Sequence, residues 1–128
     1  MPMNYQIDRE SNLITLTATG TVRFEDVVSA FVERVKDADY SPGMNILCDG
    51  GNAEFEFSGS EMSRLVAFFK SRQEVRGASF RFALVSDQDA IFGMGRMFES
   101  YAGELPEEIR VFRDHEEARL WALGAEAE

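Results

Sequence analysis

Few residues in this chain have the type and spacing that chemistry requires. It holds one histidine, His115, and one cysteine, Cys48. His115 lies in Asp114-His115-Glu116-Glu117, which reads as the first turn of a helix, so a solvated imidazole is expected there rather than a general base. Cys48 ends the run Met44-Asn45-Ile46-Leu47-Cys48, where a thiol reads as a small buried hydrophobe. No second cysteine or suitably spaced histidine accompanies it, which excludes zinc. No nucleophile–base pair stands out. The expectation is no enzyme, with no catalytic or metal-binding residue.

Two glycine pairs invite comparison with phosphate-binding loops. Gly93-Met94-Gly95 lies inside a helical pattern and lacks a third glycine, and Gly50-Gly51-Asn52 follows a strand but is not followed by Lys-Ser/Thr. Neither has the context that such a loop needs. Asp49 and Asp87 each close a central strand at its carboxyl end, where α/β sheets place ligands, and two carboxylates there could hold Mg²⁺. The plainer reading is a turn residue and an N-cap, and no cofactor is expected. Ser58 and Glu61 have the spacing of a capping box.

These residues need elements to position them. The 128 residues are 45% hydrophobic and 28% charged, with 11 Phe, 3 Tyr and 1 Trp. That is enough apolar mass for one domain spanning residues 1–128, and it excludes general disorder. The 23 Asp and Glu against 13 Lys and Arg give a formal charge of −10, a field that repels nucleic acid. No apolar run approaches the roughly 18 residues of a membrane span, and the start Met1-Pro2-Met3-Asn4-Tyr5 is unlike a signal peptide. A single cysteine forbids an internal disulfide and fits a reducing cytoplasm.

Tyr5 to Asp8 and Leu13 to Thr19 read as strands joined by the polar turn Arg9-Glu10-Ser11-Asn12. From Phe24 to about Asp37 the period becomes helical: Phe24, Val27, Val28, Phe31, Val32 and Val35 form one stripe. A strand, Met44 to Cys48, ends at Asp49, and Gly50 to Phe57 reads as a loop. Ser58 opens a second helix with Met62, Leu65, Val66 and Phe69 buried. Phe80 to Val85 is a strand, and Asp87 or Asp89 caps a third helix running to about Ala102. Ile109 to Phe112 is a last strand, and Asp114 and Glu117 open a terminal helix stopped by Gly124. The order is β-β-α-β-α-β-α-β-α, which implies right-handed crossovers and a mostly parallel sheet with an antiparallel first strand.

This order resembles the STAS-like, SpoIIAA-type proteins, small α/β domains known as anti-sigma-factor antagonists and as tails of anion transporters. The text is similar to that of small stand-alone bacterial members. Three stretches carry the resemblance: Leu47-Cys48-Asp49; Ile91-Phe92-Gly93-Met94-Gly95-Arg96-Met97-Phe98-Glu99; and Val111-Phe112-Arg113-Asp114 leading to Glu117-Ala118-Arg119-Leu120-Trp121. With the opening hairpin it spans nearly the whole chain. It implies a mixed, mostly parallel five-stranded sheet with about four helices. It also implies a regulatory or protein-interaction role without catalysis, and Phe92, Gly93 and Met97, off the core face of the third helix, add the expectation of self-association as a homodimer.

Switch members of that family carry a phosphorylatable serine after the central strand, usually preceded by Asp and followed by Ser-Gly. Counted from Asp49, it falls on Ser58, the candidate phosphosite. Here Phe57 precedes it and Gly59-Ser60 reverses the pair, so the competing role is a plain N-cap. The topology is also similar to that of CRAL-TRIO lipid carriers, which makes a small apolar ligand the alternative to a protein partner.

The third helix is expected to pack Ile91, Met94, Phe98, Tyr101 and Ala102 on the sheet, with Phe92 and Met97 to either side and Gly93 opposite. Two glycines inside a helix suggest a closely approached surface. Phe92, Gly93, Arg96 and Met97 are therefore the candidate interface or ligand surface. A cavity of a few hundred Å³ would favour a ligand, and solid packing a partner.

Overall fold

The computed structural model describes residues 2–124. Strands β1 (Met3–Asp8) and β2 (Leu13–Ala18) form an antiparallel hairpin. Its turn is tightened by Asp8, whose carboxylate accepts the Glu10 N–H at 3.1 Å. Helix α1 (Phe24–Val35) is followed by β4 (Asn45–Asp49), α2 (Gly59–Ser71), β6 (Arg81–Val85), α4 (Asp89–Tyr101), β7 (Glu108–Phe112) and α5 (His115–Leu123). The order β1-β2-β4-β6-β7 makes a five-stranded sheet, parallel at every pairing after the hairpin.

From β2 onward each strand is laid on the same side of the last, so right-handed crossovers put all the connecting helices on one face. Side-chain alternation divides the sheet accordingly. Ile14, Leu16, Ile46, Cys48 and Leu84 point to the face with α1, α2 and α4, whose own core joins Phe31, Met62, Leu65, Phe69 and Phe98. Leu13, Leu47, Ala83 and Val85 point to the other face, which α5 covers with Ala118, Trp121 and Ala122.

The described residues form five helices rather than about four, because α3 (Gln73–Arg76) adds one turn after α2. Two short strands also depart from expectation. The segment Gly50 to Phe57 is not all loop: β5 (Glu54–Glu56) pairs in parallel with β3 (Thr21–Arg23). Helix α1 stops at Val35 rather than near Asp37. Asp37 instead accepts the Asp39 N–H and the Tyr5 hydroxyl, each at 2.9 Å. Val32 does not join the buried stripe; it is exposed. Neither Asp87 nor Asp89 caps α4. Gln88 holds that position without a side-chain bond, because the Ser86 hydroxyl accepts the Gln88 N–H at 3.1 Å and starts the turn later.

Candidate functional site

An apolar cavity of about 60 Å³ lies between the sheet and its three crossover helices. Leu16, Cys48, Phe82 and Leu84 form its floor, one from β2, one from β4 and two from β6. Met62, Leu65 and Phe69 from α2 and Met94 and Phe98 from α4 roof it, and Phe55 and Phe57 close one side. Each is present because the apolar face of its element must be buried.

One lining residue breaks the pattern. Arg34, in the last turn of α1, is only 4% exposed and lines the cavity. Among the described residues its Nε–H has no hydrogen-bond partner, and its guanidinium carbon sits 5.1 Å from the centroid of the Phe31 ring. Among the described residues no ion pair joins it to a carboxylate. Burial pushes its pKa down to about 10, so it stays a cation at neutral pH. Burial pushes the Cys48 thiol up to about 12, so it stays neutral and poorly nucleophilic.

The other buried arginine is treated differently. Arg76 Nη2 donates to Glu107 Oε2, and Nη1 reaches the Phe69 carbonyl at 3.4 Å and Gln73 Oε1 at 3.3 Å. Arg76 also stacks over Phe69 and Phe80, at 4.8 and 5.4 Å. This cation is neutralised and bonded; Arg34 is not.

Sequence reasoning passed over Arg34, although a signal exists. Seven residues after Val27, it falls on the α1 stripe beside Phe31 and Val35, and a cation on an apolar stripe is an anomaly to explain.

The two candidate strand-end carboxylates have different surroundings. Asp49 closes β4, with Oδ1 accepting the Gly51 N–H at 2.9 Å and Oδ2 lying 3.6 Å from His115 Nε2. Asp87 is exposed. Among the described residues no group of three or more His, Cys, Asp or Glu side chains gathers as a metal-ligand set. Ser58 is the N-cap of α2: its Oγ accepts the Glu61 N–H at 3.1 Å, and its own N–H donates to Glu61 Oε1 at 3.0 Å. Asp114 caps α5 in the same manner, accepting the Glu117 N–H at 2.9 Å.

On α4 the two glycines part company. A Cβ on Gly95 would lie 2.5 Å from Leu84 Cδ2 and 3.1 Å from Val111 Cγ1, so glycine is what lets this helix close on β6 and β7. A Cβ on Gly93 would meet nothing within 4 Å. The close approach is thus at the sheet and not on the outer face. Tyr101, expected on the sheet, is 42% exposed, and Met97 is 36% exposed. Phe92 is half-buried under the Arg113 guanidinium, 4.2 Å from its ring centroid, and Arg96 pairs with Glu99 at 3.2 Å.

No protein-family model matches the chain, and no curated protein matches it either. Among solved structures it is similar to an uncharacterised protein of the DUF3478 family with a SpoIIAA-like fold from Shewanella loihica PV-4. The two share 15% identity with a TM-score of 0.59, over 94% of this chain and 91% of that one. The fold is SpoIIAA-like. No helix among the described residues is long and apolar enough to cross a membrane.

Proposed function

We propose that this protein works by binding rather than by catalysis, and that it binds a small, mainly apolar molecule between the sheet and helices α1, α2 and α4. The observation that carries this reading is the apolar cavity lined by a buried cation, which interrupts the solid packing of an interaction module but falls short of the few hundred Å³ expected of a ligand site. At about 60 Å³ it is well below the roughly 300 Å³ of a drug-sized ligand pocket. A ligand of a few non-hydrogen atoms fits as it stands, and a longer chain requires the walls to move. Met62 and Met94 are suited to that, because an unbranched thioether repacks readily. Catalysis is disfavoured by the state of the candidate groups: Cys48 is buried and held as a thiol, and His115 is a surface residue facing Asp49.

Native mass spectrometry of protein purified from its own host tests this directly. A retained small molecule is expected. Ligand-free protein that also fails to bind short alcohols and carboxylates would remove the reading.

A second reading, self-association of the protein as a regulatory or interaction module, rests on α4. Met97 and Tyr101, four residues apart on that helix, are both exposed, and Gly93 beside them leaves open space. Met97→Asp should convert a dimer to a folded monomer. A wild type that sediments as a monomer at high micromolar concentration contradicts it. The reducing cytoplasm remains the proposed compartment, because the lone cysteine is buried and unpaired.

A further inference from the structure

We infer that the ligand has an anionic end, a monocarboxylate, and that Arg34 receives it inside the cavity. The inference rests on the proposed function, since it names the class of molecule that the same cavity takes.

A cation buried without a counter-ion is costly, and folded proteins almost always pair it. This molecule does so at Arg76, whose partner Glu107 is itself buried. At Arg34 no described residue plays the part of Glu107. The groups that influence its charge are Tyr40, Cys48, Arg76 and Tyr5, and none supplies a carboxylate. Phe31 offers a ring face, which leaves the Nε donor unmatched. The missing partner is therefore an acceptor, and a negatively charged one.

Shape and charge narrow the class. A guanidinium presents a planar fork of donors that matches the two oxygens of a carboxylate. Among the described residues Arg34 is the one charged residue lining the cavity, and the others are apolar or the neutral Cys48. One positive charge balances one negative charge, whereas a phosphomonoester would bring nearly two into an apolar chamber of a protein whose net charge is already −10. The apolar remainder calls for a hydrocarbon tail, and the volume of about 60 Å³ calls for a short one. A short aliphatic monocarboxylate meets all of these conditions.

The test is isothermal titration of the full-length protein at neutral pH with butyrate, hexanoate, 1-hexanol and hexylamine. Hexanoate is expected to bind about tenfold or more tightly than 1-hexanol, the size of effect expected from a charge-assisted hydrogen bond. Hexylamine is expected not to bind. Arg34→Met should remove that preference for hexanoate while 1-hexanol binding persists, and Arg34→Lys should restore part of it. Equal affinity for hexanoate and 1-hexanol, or a hexanoate affinity unchanged in Arg34→Met, overturns the inference and leaves the cavity reading standing. Failure of every probe to bind overturns both. The comparison of probes needs only the wild type, so it decides the matter even if a variant does not fold.

Discussion

Arg76 and Glu107 face each other inside the core, with side chains only 5% and 1% exposed, and the pair defines what a buried arginine requires in this fold. Arg34, similarly buried, has the Phe31 ring but, among the described residues, no carboxylate. Two similarly buried cations thus differ in their partners: Arg76 has a carboxylate, a carbonyl and an amide oxygen, and Arg34 has a ring face. The difference suits a binding property, since a site for an anion must keep its cation unanswered until the anion arrives.

The two arginines should respond oppositely to mutation. Glu107→Ala leaves Arg76 buried and unpaired and should destabilise by about 3–5 kcal/mol. Arg34→Met removes a buried charge that has no partner and should leave the ligand-free protein as stable or more stable, by up to about 4 kcal/mol. Urea titration of both variants checks this. A strongly destabilised Arg34→Met would mean that Arg34 is structural.

The glycines of α4 should also diverge. Gly93→Ala adds a methyl group to open space and should stabilise by up to about 1 kcal/mol through helix propensity. Gly95→Ala presses on Leu84 and Val111, and overpacking of about 1–3 kcal/mol should outweigh that gain. Thermal melts of the two variants should move in opposite directions.

Ser58→Ala should cost about 1 kcal/mol as the loss of an N-cap. Phosphate at Ser58 would sit at the N-terminus of α2, where the dipole and free N–H groups accept an anion. Phosphopeptide mapping of residues 54–64 from the native host separates cap from switch. A phosphate there establishes the switch, and repeated full coverage without one leaves a cap.

Alkaline pH should expose the buried thiol. Burial raises Cys48 from its ordinary 9.0 to about 12, so above pH 9 the unfolded chain gives up a proton that the folded protein keeps. Its contribution to stability is full below pH 9 and lost progressively toward pH 12. Arg34 has the opposite sign. Its folded pKa is lowered from 12.5 to about 10, so the destabilisation it causes is present below pH 10 and relieved as pH rises toward 12.5. Tyr5 and Tyr40, both raised, add losses of the same sign as Cys48, so single variants are compared with wild type. The stability of wild type relative to Cys48→Ala should fall between pH 9 and 11, and relative to Arg34→Met it should rise above pH 10. Differences independent of pH would contradict both assignments.

Much of this fold was legible from periodicity and punctuation. Phe24, Val27, Val28 and Phe31 announce α1, and the spacings Ser58–Glu61 and Asp114–Glu117 locate two helix starts. Strands β3 and β5, of 3 residues each, and α3, of 4, were not legible, because elements so short show no period. The wheel angle alone puts Tyr101 on the sheet face, whereas in the fold it is exposed and Gly95 is the residue that lies against Leu84. The cavity could not be read from the sequence, since a void is a property of packing between elements. Its arginine could have been, as a charge on the stripe of α1.

The most direct test of binding inside the molecule is methyl NMR of the methionines during titration with hexanoate. Met62 and Met94 line the cavity, whereas Met97 is on the exposed side of α4. Saturable shifts of the Met62 and Met94 methyl signals, with Met97 unmoved, are predicted. Unmoved Met62 and Met94 signals, or shifts confined to Met97, would contradict a ligand in the cavity.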